Sequence, residues 1–195
     1  MTDPSTRVVI PAELRPTIPP WAVMSPARIG HVKRVAELTH AWAMAMGVPE
    51  SERNRWLRAV WLHDALRDAP IAALERLAPG TWGPEELRHG PAAAAQAKAD
   101  GETDRGVLDA VRYHSVGLAE WDMVGRVLYC ADFLEPGRSF DREARDELAQ
   151  RFPKAMPEVV FAVAQRRMDW LVRSGWAIPD PTWRFWNGLV AVRPG

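Results

Sequence analysis

The chain has 195 residues, a length typical of a single domain, and its 25 basic and 25 acidic residues give a formal net charge of zero. Because 47% of the residues are hydrophobic, the composition excludes a disordered chain. The balanced charge also argues against a protein that binds nucleic acid mainly through charge. The one cysteine, Cys130, can form neither an internal disulfide nor a cysteine-based zinc site. Any metal must therefore be bound by histidines and carboxylates.

The first residues of the chain do not resemble a signal peptide. Residues 1–25 contain five prolines and no continuous apolar core. No apolar stretch approaches the ~20 residues that span a bilayer. These features predict a cytoplasmic protein that does not enter a membrane. Because each proline removes a backbone donor, they also predict an irregular arm over residues 1–24.

After the arm, the hydrophobic periodicity is helical. Ser25-Pro26 has the residue types of an N-cap and a first helical position, and Gly47 is a natural helix end. Between them, an apolar stripe recurs at steps of three and four: His31, Val35, Leu38, Trp42 and Ala45. Further helices are predicted around residues 56–63, 103–114, 121–134, 142–151 and 156–174, with a short one from Asp180. Turns are predicted at residues 78–80, 83–84 and 136–137.

No segment shows the alternation of a strand, so the predicted fold class is all-α. The prediction is a single helical bundle over residues 25–152, preceded by the arm over residues 1–24. A C-terminal helical extension over residues 153–195 is expected to pack on the same domain.

Ionisable residues interrupt the apolar segments at a few positions. Asp132 is the one charged residue in a strongly apolar run, and His63 and Asp64 interrupt another. His31 and His114 occupy apolar stripes where Leu or Val is expected. Taken singly, each has a structural explanation: a hydrogen-bonded core histidine, or an aspartate that caps a helix or pairs with arginine. Two buried carboxylates nevertheless require a cation, because an uncompensated buried charge is costly.

The order of these residues, together with the residues around them, forms a recognisable pattern. An arginine lies three residues before the first histidine, and a His-Asp pair is followed by a basic residue. A His-Gly step precedes a run of small residues. The motifs are Arg28-Ile29-Gly30-His31, His63-Asp64-Ala65-Leu66-Arg67, His89-Gly90-Pro91-Ala92, His114-Ser115-Val116-Gly117 and Ala131-Asp132-Phe133-Leu134-Glu135-Pro136-Gly137-Arg138.

This ordered set resembles the HD-domain metal-dependent phosphohydrolases, in particular the YqeK type, the symmetrically cleaving diadenosine tetraphosphate hydrolases. The resemblance covers roughly residues 28–140, and its last motif is the most specific. The chain departs from the pattern at Arg67, where many members have Lys, and at Ser115, where Thr is common. Arginine and lysine are not equivalent at a phosphate. The resemblance implies an HD-domain bundle.

The resemblance also implies iron at a two-metal site. One ion would be held by His31, His63, Asp64 and Asp132, and the second by His89 and His114, with Asp64 bridging the two. Mixed imidazole and carboxylate ligands also suit manganese, cobalt, nickel or zinc, as divalent or trivalent ions. A metal-activated water would then hydrolyse diadenosine tetraphosphate, or a related dinucleoside polyphosphate, into two nucleoside diphosphates. No protein nucleophile is required.

Three arginines lie beside the predicted ligands and are candidate phosphate contacts: Arg28, Arg67 and Arg138. The alternative is that each pairs with a neighbouring carboxylate. Glu135 could orient a metal ligand or Arg138, or hold the turn that follows it.

Other residues outside the motifs raise simpler expectations. Trp183 and Trp186 could stack on an adenine, although packing on the bundle is the favoured interpretation. Arg166 and Arg167 are expected to face solvent, and His40 is expected at the surface.

Two further functions remain compatible with the sequence. A nucleotide phosphomonoesterase or phosphodiesterase would share the metal site but not the pocket. A non-catalytic nucleotide-binding HD module would have lost turnover, although all six predicted ligands are present. The expected partner is a small-molecule dinucleoside polyphosphate or nucleotide, with no nucleic acid and no membrane. The sequence does not decide between a monomer and a homodimer.

Overall fold

The structure is a computed structural model that describes residues 17–81 and 84–192. Within these ranges it contains α-helices, a 3-10 turn at Glu85–Leu87 and no strand, which confirms the predicted all-α class. The helices are, in chain order, α1 (Pro26–Ala45), α2 (Glu50–His63), α3 (Ile71–Leu77), α4 (His89–Ala99), α5 (Arg105–Tyr113), α6 (Met123–Leu134), α7 (Arg142–Arg151), α8 (Met156–Arg173) and α9 (Asp180–Ala191).

Local capping explains where the helices of the bundle begin and end. The Ser25 hydroxyl accepts a hydrogen bond from the backbone N–H of Arg28, as predicted for an N-cap. Asp104 and Asp122 cap α5 and α6 in the same way. Gly47 follows α1 at a φ of 65°, a left-handed conformation that favours glycine. Residue types that bond to free backbone groups thus mark these boundaries in the sequence.

The core lies where α5 packs against α2, α4 and α6, with α1 against α2 and α6. Apolar side chains of all five helices are buried there, including Val35, Trp56, Ala93, Val111 and Leu128. Burying such side chains stabilises the fold by ~1.5–3 kcal/mol for each large one. The short helix α3 was not among the predictions, because seven residues with one buried side chain, Leu74, give little periodic signal.

Residues 17–25, before α1, form no helix but make contacts with the bundle. Trp21 Nε1 donates to Asp100 Oδ2 over 3.0 Å, and the backbone of Val23 bonds to that of Ala65 and Asp68. Residues 1–16 of the predicted arm, Gly83 of the predicted turn and residues 193–195 lie outside the described residues. The three-part division of the chain stays a prediction.

At the other end of the chain, α8 packs on α6 and α7, and α9 packs on α8. The Phe185 ring of α9 lies against Trp121 and Tyr129, with ring centroids 5.4 and 5.3 Å apart. Among the helices that the structure describes, none is long and apolar enough to cross a membrane.

Candidate metal centre

Six buried ionisable side chains, from five helices and their ends, form one cluster with Asp64 at its centre. Asp64 Oδ1 lies 3.2 Å from His89 Nε2 and 3.8 Å from His114 Nε2. The other oxygen, Oδ2, lies 3.5 Å from His63 Nε2 and 3.6 Å from His31 Nε2. All of these side chains are buried, as is Asp132, whose Oδ1 lies 3.1 Å from His31 Nε2. The two oxygens of one carboxylate therefore each face a pair of histidines.

Helix ends bring most of these side chains together. His63 is the last residue of α2 and Asp64 is its C-cap, while His89 begins α4 and His114 follows α5. The glycine after His89 allows α4 to approach α5. A Cβ on Gly90 would lie only 2.9 Å from the Val111 carbonyl oxygen and 3.2 Å from the His114 ring. The His-Gly step of the sequence thus has a steric reason.

The histidines share one hydrogen-bonding arrangement. The Nδ1 atoms of three of them bond to the carbonyl oxygen three residues earlier: His63 to Val60, His89 to Glu86 and His114 to Val111, over 2.7, 2.7 and 2.8 Å. A carbonyl oxygen can only accept, so each Nδ1 must carry the proton. The Nε2 atoms that face Asp64 are then left with lone pairs. This is the tautomer that a metal-binding histidine needs.

The lone pairs form an arrangement that a cation would stabilise. His89 Nε2 and His114 Nε2 are 3.0 Å apart, although each ring already uses its proton on Nδ1. His63 Nε2 is buried without a hydrogen-bond partner among the described residues. Two groups of three could each hold a metal ion, and they share Asp64: His31, His63 and Asp64, and Asp64, His89 and His114. Imidazole and carboxylate donors without thiolate suit first-row transition metals.

Burial and neighbouring charges shift the pKa values of the cluster in different directions. Burial, together with the nearby His89 and His63, lowers the pKa of His114 to about 3, so this ring is neutral near pH 7. Burial also lowers the pKa of His31, but hydrogen bonds to Asp132 and Glu135 outweigh it and raise that pKa to about 9. A metal must therefore displace a proton to bind His31.

Glu135 combines two of the roles considered from the sequence. Its side chain is 2% exposed. It lies 3.1 Å from His31 Nδ1, and it accepts hydrogen bonds from Arg34 Nε over 2.6 Å and from the Gly137 backbone over 2.7 Å. Burial raises the pKa of Glu135, but the bonds with His31 and Arg34 outweigh it and lower the pKa to about 2. Glu135 thus orients His31 and also holds the turn that follows α6.

Arg34 and Arg145 were missed by the sequence analysis. Arg34 lies three residues after His31 on the same helix, a spacing that could have signalled a shared partner. Arg145 is fully buried and donates to the backbone carbonyls of Phe133, Glu135 and Arg138. It therefore anchors the loop that carries Glu135 and Arg138, by contacts that no local pattern reveals.

The three predicted phosphate-contact arginines line one cavity of about 420 Å³, together with Asp64, His89, His114 and Asp132. Arg28 Nη1 donates to Asp64 Oδ2 over 2.8 Å, and Arg138 Nη2 donates to Asp132 Oδ1 over 2.7 Å. Arg67 instead donates to the Glu86 carbonyl oxygen over 3.1 Å. Two of the three arginines thus form ion pairs with predicted ligands while facing the cavity.

The expectation that Arg167 faces solvent is wrong. Its side chain is 17% exposed and donates to Asp132 Oδ2 over 3.0 Å and to the backbone oxygens of Ser115 and Tyr129. The guanidinium also lies 4.4 Å from the Tyr129 ring centroid. The sequence does contain a signal, because Arg167 continues the buried stripe of α8 at Val160, Val163 and Ala164. Arg166 is half-buried and pairs with Asp141, and His40 is also half-buried.

The aromatic wall of the cavity differs from the one considered from the sequence. Trp186 packs on Phe161, with ring centroids 5.0 Å apart. Neither Trp183 nor Trp186 is among the residues that line the cavity, so the packing interpretation fits Trp186 better. The wall is formed instead by Trp170 and Trp176, with Pro179 and Thr182.

Comparison with known proteins identifies the class to which this fold and site belong. The HD domain family matches residues 28–164, which is more than half of the chain. The chain therefore belongs to the HD domain family, and the resemblance inferred from the motifs is confirmed. A crystal structure of a predicted HD superfamily hydrolase involved in NAD metabolism, from Clostridium acetobutylicum, superimposes with a TM-score of 0.75 at 21% identity. The match covers 87% of this chain and 92% of that one and supports the fold.

Three curated relatives carry the same name, symmetrical bis(5'-nucleosyl)-tetraphosphatase. The Bacillus subtilis protein is 28% identical over 107 residues, covering 54% of this chain and 56% of that protein. The Staphylococcus aureus protein is 25% identical over 100 residues, half of each chain. The Halalkalibacterium halodurans protein is 33% identical over 57 residues, covering 29% and 30%. The chain thus spans at most about half the length of these relatives.

Proposed function

We propose that the protein is a metal-dependent phosphohydrolase that splits diadenosine tetraphosphate, or a closely related dinucleoside polyphosphate, into two nucleoside diphosphates. One observation carries the proposal: two candidate metal-binding groups share Asp64 beside a cavity lined by arginines. The name of the three relatives supports the same reaction. A cavity with both metal ligands and guanidinium groups suits a phosphate-rich substrate.

In this proposal, His31, His63, Asp64 and Asp132 would hold one ion, and His89 and His114 would hold the second. Asp64 would contribute to both, since its two oxygens face different pairs of histidines. Iron is the proposed metal, by family resemblance. When bound, two such ions lower the pKa of a water molecule and offset negative charge on the phosphoryl oxygens.

Two arginines of the cavity form ion pairs with predicted metal ligands and are also candidate phosphate contacts. Arg28 and Arg138 pair with Asp64 and Asp132, and they compete for oxygens that the ions would use. Ions held by these oxygens would leave both guanidinium groups available to phosphate oxygens in the cavity. Arg67, on the same wall, supplies a third cation.

The reaction needs no protein nucleophile and no protein acid. Cys130 is fully buried, and burial raises the pKa of its thiol far above neutrality. The departing group is a nucleoside diphosphate, whose terminal phosphate is stable as an anion near pH 7. The side chains of this protein would then hold the ions, orient the phosphates and exclude other acceptors of the phosphoryl group.

Product analysis tests the proposal. Protein loaded with iron or manganese should convert diadenosine tetraphosphate into ADP alone, and an Asp64→Asn variant should be inactive. The same substitution at Asp104, which lies outside the cavity, should leave the activity unchanged. Formation of ATP and AMP would contradict symmetrical cleavage. Turnover confined to mononucleotides or cyclic nucleotides, in a panel of phosphoesters, would favour one of the alternative substrates instead.

A further inference from the structure

A second cavity adjoins the first and shares with it Asp132, a predicted metal ligand. It measures about 490 Å³, and the first measures about 420 Å³. Both volumes fall in the ~300–1,000 Å³ range of small-molecule sites. The two cavities share four lining residues, which form the partition between them: Asp132, Arg138, Arg167 and Trp170.

The second cavity differs from the first in its relation to the metal centre. His89, His114 and Asp64 line the first cavity, whereas Asp132 is the one predicted ligand in the second. The second cavity therefore adjoins the centre through Asp132 alone among the predicted ligands.

The second cavity repeats the chemistry of the first. Beyond the partition, the first cavity offers the aromatic face of Trp176 and the guanidinium groups of Arg28 and Arg67. The second offers Phe140, Arg166 and Arg173 in addition to the same partition. Each side thus has two arginines of its own and a further aromatic ring, Tyr129 in the first cavity and Phe133 in the second. Each side also has two carboxylates of its own, Asp64 and Glu86 in the first and Asp141 and Asp169 in the second, and the two sides share two arginines.

Two aromatic residues of the second cavity are about half exposed, although Arg145 contacts the Phe140 ring and Trp176 contacts Trp170. Phe140 is 52% exposed, and Trp170, on the partition, is 53% exposed. Exposed aromatic faces beside guanidinium groups are favourable for stacking a nucleobase near its phosphates. Arg166 has only a 3.5 Å ion pair with Asp141, on a half-exposed surface, so a phosphate can compete for it.

We propose that the second cavity is the half-site for the departing nucleoside diphosphate, an inference that rests on the proposed function. A dinucleoside tetraphosphate would then span both cavities, with its central phosphoanhydride bridge at the partition beside Asp132. Arg138 and Arg167 flank the two inner phosphates. The two halves of the substrate are chemically identical, and two similar compartments that share the partition match that symmetry.

The cleavage follows from this placement. Water adds its oxygen to the inner phosphorus atom on the first side, and the bond from that phosphorus to the bridging oxygen breaks. The bridging oxygen leaves with the bonding electron pair, as a terminal oxygen of the nucleoside diphosphate in the second cavity. The two protons of the water pass to solvent, so the products are two nucleoside diphosphates.

Binding stoichiometry tests the half-site without catalysis. Calorimetric titration of the metal-loaded protein with ADP should give two molecules per chain. The double variant Phe140→Ala/Arg166→Gln should bind one. A matched pair, Trp183→Ala/Arg105→Gln, removes an exposed aromatic ring and an exposed arginine that line neither cavity, and it should still bind two. One ADP per chain in the unaltered protein, or two in the Phe140→Ala/Arg166→Gln variant, would overturn the inference.

Kinetics separates this inference from the proposed function. The Phe140→Ala/Arg166→Gln variant should raise the KM for diadenosine tetraphosphate by about tenfold or more, with a much smaller change in kcat, since one stacked base is lost. An unchanged KM, in a protein that does release ADP, would refute the half-site and leave the function standing. Two bound ADP molecules in a protein that does not cleave the dinucleotide would support the half-site and refute the proposed reaction.

Discussion

Two clusters of charged side chains in this molecule use the same residue types in opposite ways. Around Arg55, the guanidinium donates to Glu52, Asp104 and Asp122 over 2.6–3.0 Å. Asp104 and Asp122 also cap helices, so the donors and acceptors of this cluster satisfy one another. Around Asp64, by contrast, the Nε2 atoms of His89 and His114 face each other, and His63 Nε2 has no hydrogen-bond partner among the described residues. We call the cluster around Arg55 the closed cluster, because its charged groups bond to one another and stabilise the fold. We call the cluster around Asp64 the open cluster, because its polar atoms require a ligand.

The largest effect is expected from Asp64→Asn in the open cluster, and the same substitution at Asp104 in the closed cluster is its control. Asp64→Asn should abolish the rise in melting temperature that added metal produces and lower turnover by about a thousandfold or more, because metal activation contributes several kcal/mol. Asp104→Asn should keep both the metal-dependent rise and the turnover. Thermal melts with and without metal, together with product assays, check this contrast. A metal-dependent rise that persists in Asp64→Asn would contradict it.

A smaller effect is expected at Glu135, which contacts His31 of the open cluster. Glu135→Gln should weaken metal binding by about 10–100-fold, because the amide holds His31 less firmly than the carboxylate does. The measurement is a metal titration, compared with an exposed control, Glu147→Gln. An unchanged metal affinity together with a reduced kcat would show that Glu135 does not act through His31.

Adjacent arginines on α8 offer a matched comparison of stability. Arg167→Gln should lower the free energy of unfolding by about 2 kcal/mol, since it removes a charged hydrogen bond to Asp132 and two bonds to backbone oxygens. Arg166→Gln should lower it by about 0.5 kcal/mol or less, because its ion pair lies at the surface. Urea denaturation of both variants measures the difference, and equal losses would show that Arg167 is not the buried anchor.

The smallest expected effect is a pH dependence in the closed cluster. Hydrogen bonds from Arg55 lower the pKa of Asp104 from 3.8 to about 2. The carboxylate therefore contributes stability that is complete above about pH 4 and is lost as the pH falls toward 2. Asn retains the helix cap, so Asp104→Asn should cost about 1 kcal/mol at pH 7 and progressively less below pH 4. Unfolding curves across this range check the trend. A pH-independent difference would contradict it.

Much of the fold could be predicted because its signals are local. Ser25, Asp104 and Gly47 mark helix ends by their own chemistry, and apolar stripes mark the buried faces. Five residues of the Asp64 cluster, His31, His63, Asp64, His114 and Asp132, were also predictable, because an ionisable residue in an apolar run is out of place in any fold, whereas His89 was found only through its motif. Their ordered motifs then supplied the resemblance.

The parts that could not be predicted depend on how helices are placed against one another. Arg167 contacts Asp132 only because α8 lies along α6, and the partner of Arg34 is 101 residues away. Trp170 lines the cavity, and Trp186 does not, because of the rotation of their helices in the packed structure. Periodicity identifies a buried face but not the neighbour that covers it.

The most direct test of a two-metal centre is anomalous scattering from crystals of protein prepared without chelators. Two peaks are expected on either side of Asp64, one within bonding distance of His31, His63 and Asp132, and the other beside His89 and His114. The absorption edges would identify the element. The absence of any peak in this cluster, or a metal bound only at another place on the chain, would contradict the assignment.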